Sequence, residues 1–337
     1  MIANSNILVL SVKFFDYEKL IADQLIAMGA SVDLFDERPS NTFLSKAIIR
    51  LKKNVYQSVI NRHFKGIMTK IVDKRYNYFL LIKGESTPLF FLKFLKENNP
   101  GIVFIYYNYD SFKNNPNGLE NLMMFDRKFS FDKNDSDKYQ LGFRPLFFSS
   151  HYAKLNDQST NNSSAKYDIA FIGTAHSDRY QISQTIAKWC IENSLRMFNF
   201  YFSPSKILFA FKKLTDRHFS GFDRNKISFR SLSHMEIIDI YRNSNAILDI
   251  NHPNQNGLTM RTFETLGSGR KLVTTNTNIK SYPFYNDTNV YIIDRSNPNI
   301  DLEFFNREFE PIDSNLLFAM SLEGWLKELF EGKSNIW

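Results

Sequence analysis

"ILDINHPNQNGLTMRTFETLGSGRKLVTTN" (Ile247–Asn276) holds the pattern on which the fold turns. An apolar run at 246–250 reads as a strand, followed by a polar, Asn-rich loop. A helix begins near Gly257, and "KLVTT" at 271–275 reads as a second strand. The first amides of a helix lack intrahelical partners, so that end attracts an anion; here these are the amides of Gly257, Leu258 and Thr259. Thr259 is expected to add a hydroxyl donor, and Arg261 a pair of donors suited to phosphate. Glu264 cannot serve the same anion, but a carboxylate there suits the vicinal hydroxyls of a ribose. Phosphate with ribose means a nucleotide. The competing reading is an i, i+3 surface ion pair between Arg261 and Glu264. The loop "HPNQNG" at a strand's carboxyl end favours the ligand.

The same strand–helix alternation runs along the whole chain. "NILVLSV" (6–12), "SVDLF" (31–35), "YFLLIKG" (78–84) and "GIVFIYY" (101–107) read as strands, with helices expected at 16–29, at about 43–74 and in "PLFFLKFLKEN". Short strands are expected near Lys128 and in "LGFRPLFF". After the core-free stretch "KLNDQSTNNSSAK" (154–166) the pattern restarts with "YDIAFIG" (167–173), a helix at 179–193 and "LRMFNFYF". A basic helical piece at 205–219, "KISFRS", a helix at 235–242, "NVYIID" and an amphipathic segment at 314–330 complete it. Uniformly apolar strands separated by helices imply parallel sheets covered on both faces. The expectation is an α/β chain of two Rossmann-like domains whose parallel sheets face each other across a cleft. The first domain spans 1–152, a linker 153–166, the second domain 167–312, and a helical segment at 313–337 crosses back to the first.

A length of 337 residues suits two cores rather than one. The 33 Phe and 16 Tyr, against 13 Gly and 10 Pro, exclude disordered and collagenous classes. The single cysteine, Cys190, sits in a helical pattern as core filler and supports neither a disulfide framework nor a cysteine metal site. No secretory-type leader and no uninterrupted apolar stretch of membrane-spanning length is present, so a cytoplasmic protein is expected. The net charge of +7 is local, since residues 46–75 carry nine Lys or Arg against Asp73 alone. That excess points to a surface contact.

A second candidate for ligand contact is "FIGTAHSDRY" (Phe171–Tyr180), a strand, a Gly-Thr turn and a helix start. Gly173 would let backbone approach a ligand closely, and His176 and Arg179 would reach into the cleft. The Rossmann dinucleotide fingerprint and the Walker A loop are both missing, which argues against NAD, FAD and ATP by those routes.

The run of "YDIAFIGTAHSDRY", "SHMEIIDIYRNSNAILDI" and "NGLTMRTFETLGSGRKLVTTN" resembles the second domain of GT-B type glycosyltransferases. Its nearest likeness is to the CgeB-like and lipopolysaccharide- or capsule-biosynthesis (group 1) branch. "LLIKG", "FIYYNYDSF" and "FDRKFSFDKNDSDKYQLGFRPLFF" resemble the acceptor domain of that branch. The resemblance implies a nucleotide-diphosphate sugar, with uridine the expected nucleotide. Glu264 would hold the ribose, while Arg261 and the amides at 257–259 would hold the diphosphate. Gly173 would lie under the donor, with His176 and Arg179 lining its pocket. Helix dipoles and cations on the leaving diphosphate would make a metal unnecessary, so no cofactor is expected. "DSD" (135–137) has the spacing of a metal-binding motif from another glycosyltransferase architecture, but its polar loop setting makes a metal site unexpected. Retaining relatives carry a glutamate eight positions before the one that matches Glu264; here that position is Asn256, which favours inversion.

Inversion requires a general base on the acceptor hydroxyl. Glu85 in "LLIKGES" and Asp110 in "YYNYDSF" follow strands directly and are the first choices; Asp16 and His151 are the others. Phe15, Tyr107 and Tyr109 are candidates to stack on acceptor sugars. The mixed apolar and basic stretch 43–75 suits an anionic membrane surface, as expected of a peripheral enzyme extending a lipid-linked glycan. It carries no nucleic-acid-binding motif. Rival readings are a sugar-nucleotide epimerase or polyol-phosphate transferase on the same scaffold, or a noncatalytic glycan-binding relative.

Overall fold

The computed structural model describes residues 2–156, 165–216, 219, 221–253, 255–333 and 336–337. They form two compact units: unit 1 comprises Met1–Leu146 with Leu322–Trp337, and unit 2 comprises Phe147–Ser321.

Unit 1 is built on β1 (Asn6–Ser11), β2 (Ser31–Asp36), β3 (Tyr78–Ile82), β4 (Val103–Asn108), β5 (Arg127–Ser130) and β6 (Gly142–Phe143). All pair in parallel, in the order β2-β1-β3-β4-β5-β6. Its helices are α1 (Tyr17–Ala27), α2 (Phe43–Lys52), α3 (Gln57–Ile71), α4 (Leu89–Asn98) and α5 (Lys133–Tyr139). Consecutive residues of β1, Ile7 to Leu10, are all fully buried, because helices cover both faces of the sheet.

The long helix expected from residue 43 to 74 is two helices separated by a 3-10 turn at Lys53–Tyr56. Asn54 and Val55 are weak helix formers and follow the adjacent cations Lys52 and Lys53. The break gives the two pieces different jobs. Helix α3 docks through Ile60, Phe64, Ile67 and Ile71, one face at helical spacing. Helix α2 buries only Ser45 and Ile49, leaving Phe43, Leu44 and Leu51 exposed, with Val55 beyond it.

Unit 2 holds α6 (Ser150–Asn156), β7 (Tyr167–Thr174), α7 (Arg179–Glu192), β8 (Met197–Phe202), α8 (Lys206–Thr215), β9 (Ile227–Ser228), α9 (His234–Arg242) and β10 (Ser244–Asp249). It continues with α10 (Met260–Gly267), β11 (Lys271–Thr274), β12 (Val290–Ile292), α11 (Glu303–Asn306) and α12 (Ser314–Met320). Its parallel sheet runs β12-β11-β10-β7-β8-β9. Residues 157–164 of the expected linker lie outside the described residues, while 153–156 belong to α6, whose Tyr152 ring packs against Tyr241 of α9.

The expected helical segment at 314–330 is interrupted at Ser321, which bridges to Phe148 within unit 2. The chain then forms α13 (Leu322–Glu331), which belongs to unit 1. Trp325 is fully buried there with its ring 4.6 Å from that of Tyr107, and Arg144 pairs with Glu328.

Candidate functional site

In unit 2 the carboxyl end of β10 gathers side chains from four elements. Asp249 closes the strand, and its Oδ2 accepts from the hydroxyls of Thr259 (2.7 Å) and Thr262 (3.0 Å), fixing the start of α10. The next carbonyl, Ile250 O, accepts from Arg179 Nε at 2.7 Å. The carbonyl after it, Asn251 O, accepts from Arg295 Nη2 at 2.7 Å, and the same nitrogen reaches Asn251 Oδ1 at 2.8 Å. Arg295 Nη1 also binds both carboxylate oxygens of Asp178, at 2.7 and 2.8 Å, just ahead of α7. The polar loop that follows is held by side-chain amides: Asn276 and Asn278 both donate to Asn256 O, at 3.3 and 3.1 Å, and Asn251 donates to Gln255 O at 3.0 Å.

Cations crowd this strand edge. Burial, with Arg261 and Arg295 nearby, lowers the Arg179 pKa to about 10. His176, two residues past β7, is pushed down to about 2 by burial and then by Arg179, so its ring is neutral at physiological pH. It lies 5.5 Å, ring to ring, from His252. Arg261 Nη1 donates to the Tyr241 hydroxyl at 3.1 Å. Burial works against the Arg261 cation, but Tyr241 and Glu264 more than offset it and raise its pKa above the ordinary value. Glu264 is 2% exposed.

The expected donor-side residues therefore share one edge of one sheet, with some roles altered. Thr259 gives its hydroxyl to Asp249, leaving its backbone amide as its offer to an anion. Helix α10 begins at Met260 with Thr259 as its cap residue, not at Gly257; Gly257 and Leu258 are buried, and Asn256 is exposed. Gly173 has a reason within the fold, since a Cβ there would stand 2.7 Å from the Phe171 ring. Asp249, Asp178, Asn251 and Arg295 escape the sequence reading. Asp249 and Arg295 each stand at or just past the carboxyl end of an apolar strand, the same signal that singles out Glu85 and Asp110.

In unit 1 the candidate bases separate sharply. Glu85 is fully buried. Its carboxylate meets Arg38 (2.6 Å), Lys83 (2.8 Å) and Arg50 (3.4 Å). Burial pushes its pKa up, and Lys83 and Arg38 outweigh that, holding it below the usual carboxylate range. Enclosed and paired in this way, the Glu85 carboxylate is closed to solvent. Asp110 keeps partial exposure, with Oδ2 3.1 Å from Lys83. Asp16 is exposed, lies in the left-handed region, makes no side-chain cap bond and pairs with Lys19 at 2.7 Å. His151 lies exposed on α6 in unit 2, with Nδ1 3.5 Å from the Ser149 hydroxyl.

Tyr107 is core, its hydroxyl donating to Arg144 O at 2.9 Å. Phe14 and Phe15 are instead 43% and 46% exposed, at the carboxyl end of β1. The Phe14 ring stacks on Tyr109, with centroids 5.6 Å apart. Phe15 and Asp16 are consecutive residues at positive φ, a strain that non-glycine residues hold only where the surroundings impose it.

Next to Glu85, the buried Glu37 accepts on Oε1 from the amides of Ser86 (2.7 Å) and Thr87 (3.0 Å) and from the Thr87 hydroxyl (3.0 Å). Burial raises its pKa. A raised folded-state pKa favours folding at low pH, and that contribution is lost as pH rises through the folded value. Glu37→Gln is therefore expected to gain stability relative to wild type as pH goes from 5 to 8. Paired thermal melts check this; a difference that does not change with pH would refute it.

The carboxylates of the "DSD" stretch lie on α5 and do not converge on a metal: Asp135 accepts from the Phe112 amide at 2.8 Å, and Asp137 pairs with Lys133 at 2.9 Å. Among the described residues no group of three His, Cys, Asp or Glu could hold a metal ion, and no helix is long and apolar enough to cross a membrane.

No protein-family model matches the chain, and no curated protein matches it in sequence. Solved structures match over nearly its full length. A glycosyltransferase from Rickettsia africae ESF-5 is 11% identical with a TM-score of 0.57, the match covering 97% of each chain. An α-glucosyltransferase in complex with UDP and a 13-mer mismatched DNA is 14% identical with a TM-score of 0.56, over 98% of this chain and 96% of that one. A UDP-GlcNAc 2-epimerase from Methanocaldococcus jannaschii, in complex with UDP-GlcNAc and UDP, is 11% identical with a TM-score of 0.50, over 97% and 99%. The chain has a GT-B-like fold of two parallel-sheet α/β domains.

Proposed function

We propose that the protein is a nucleotide-sugar-dependent glycosyltransferase that binds its donor on unit 2 and transfers the sugar without a metal ion. The observation that carries this reading is the gathering of Arg179, Arg261 and Arg295 at one strand edge, around the exit of β10. A leaving nucleoside diphosphate gains negative charge as its bond to the sugar breaks, and fixed cations with helix amides stabilise that charge most where it develops. Arg261 and the first amides of α10 are assigned to the diphosphate, and Glu264 to the ribose. Arg295 and Asp249 act as positioning residues that fix the loop and the helix start.

On unit 1, Asp110 is the preferred candidate for the base over exposed Asp16, and the Phe14–Phe15 shelf with Tyr109 is assigned to an acceptor sugar face. Reaction with inversion at a lipid-linked surface glycan, next to an anionic membrane contacted by α2, is the finer reading. The exposed Phe43, Leu44 and Leu51 beside Lys46, Arg50 and Lys52 support that contact.

A panel of nucleotide sugars tests the class by thermal shift and by release of free nucleotide, with and without a chelator. Stabilisation by one UDP-sugar, and its slow hydrolysis unaffected by chelation, is the expected result. Conversion of that UDP-sugar to an epimer with no free UDP would replace the transferase reading with the epimerase one. No response to any nucleotide sugar would overturn both.

A further inference from the structure

Helix α8 of unit 2 has two apolar faces. Phe209 points inward and packs with Phe219 and Phe222. Ile207, Phe211 and Leu214 point outward and are 83%, 60% and 87% exposed. At 3.6 residues per turn these three fall within about 60° of arc, a single stripe opposite the docked face. A well-packed helix would carry polar residues there.

The charges of this segment are mostly positive. Helix α8 contains Lys206, Lys212 and Lys213 and no acid. The segment 205–226 carries six Lys or Arg against two Asp. Lys206 and Lys213 lie to one side of the stripe and Lys212 to the other, each about 80–100° around the helix from its nearer border. Their ammonium groups rest on neighbouring groups of the protein, Lys206 Nζ over the Phe229 ring, Lys212 Nζ over the Phe219 ring, and Lys213 Nζ donating to Phe222 O at 3.0 Å, so meeting lipid phosphates requires these side chains to swing outward.

We infer that α8 is a membrane-surface helix, whose Ile207–Phe211–Leu214 stripe enters the headgroup boundary of an anionic bilayer while its flanking lysines meet lipid phosphates. The stripe supplies buried apolar area and the lysines supply attraction to anionic headgroups, and peripheral binding needs the two together. An uncharged partner would leave the net positive charge of the segment unanswered. A second copy of the chain would bring the same cations face to face. This inference uses no residue of the donor site and stands apart from the transferase reading.

The test is co-sedimentation of the full chain with vesicles of phosphatidylcholine containing about a quarter phosphatidylglycerol, against phosphatidylcholine alone. To isolate α8, the substitutions Ile207→Ser, Phe211→Ser and Leu214→Ser are compared in a background already carrying Leu44→Ser and Leu51→Ser. At least a tenfold loss of partitioning into the anionic vesicles is expected, with melting and UDP-sugar binding in solution unchanged. As a second readout that tolerates a folding defect in the triple variant, Phe211→Trp alone should blue-shift its emission on anionic vesicles and be quenched by brominated lipid. Three outcomes would overturn the inference. These are undiminished partitioning of the triple variant, emission from the Phe211→Trp variant that is indifferent to lipid charge, and a dimer that the triple variant dissolves while vesicle binding persists.

Discussion

Arg261→Ala is expected to lower kcat/KM for the preferred nucleotide sugar by about two to three orders of magnitude, the cost usual for removing one preorganised donor from a developing anion. The loss should fall mainly on kcat, because the leaving diphosphate is more negative in the transition state than in the ground state. Arg261→Lys should recover only part of it, since an ammonium cannot offer paired donors. The guanidinium donates to the Tyr241 hydroxyl, and the Glu264 charge favours it, so Tyr241→Phe should produce a smaller defect in the same direction. Glu264→Ala separates contact with the nucleotide from positioning of Arg261. If the carboxylate holds the ribose, the variant loses its preference for UDP over 2′-deoxy-UDP. If it only orients Arg261, affinity falls and that preference survives. A folded Arg261→Ala protein with UDP affinity and turnover within twofold of wild type would remove the donor site from this part of the molecule.

The largest effect on stability is expected from Glu85→Ala. The substitution deletes the anion that Arg38, Lys83 and Arg50 share, taking the carboxylate from buried Arg38 and leaving buried Lys83 with Asp110 alone among the ion pairs described. Breaking a buried pair from one side costs about 3–5 kcal/mol. For a unit of this size that is a fall in Tm on the order of 10 °C. The pH dependence has a definite sign. Because the folded-state pKa of Glu85 is depressed, its contribution is present above the unfolded carboxylate value and lost as pH falls through the folded one. Wild type and variant should therefore converge in stability on acidification below pH ~4. A variant that melts with wild type at neutral pH would return Glu85 to the list of candidate bases.

Glu85 also shows where the sequence stops being legible. Its place after an apolar strand is readable, and so is the sheet itself, because strands buried on both faces leave uninterrupted apolar runs such as "ILVL" and "YFLLI". Its enclosure is not, since Arg38 comes from another strand's exit and nothing local in "LLIKGES" announces it. The same limit explains Thr259. The pattern identifies a hydroxyl at a helix start, but Asp249, ten residues earlier, already engages it. Arg295 is readable by the rule applied to Glu85, but "YIIDRS" lies outside the stretch that carries the family likeness. The break between α2 and α3 is hidden by continuous helical spacing, and only the weak helix formers at 54 and 55 hint at it.

The return of α13 to unit 1 bears on how the protein matures on the ribosome. Unit 2 is a continuous stretch of chain, and all its strands are available before α13 has been made. Unit 1 must wait, with the surface meant for Trp325 uncovered, until α13 leaves the exit tunnel and Glu328 reaches Arg144. The order of completion is then the reverse of the order of synthesis, so a nascent chain halted just before residue 322 should present a finished second half behind a first half that proteases still cleave.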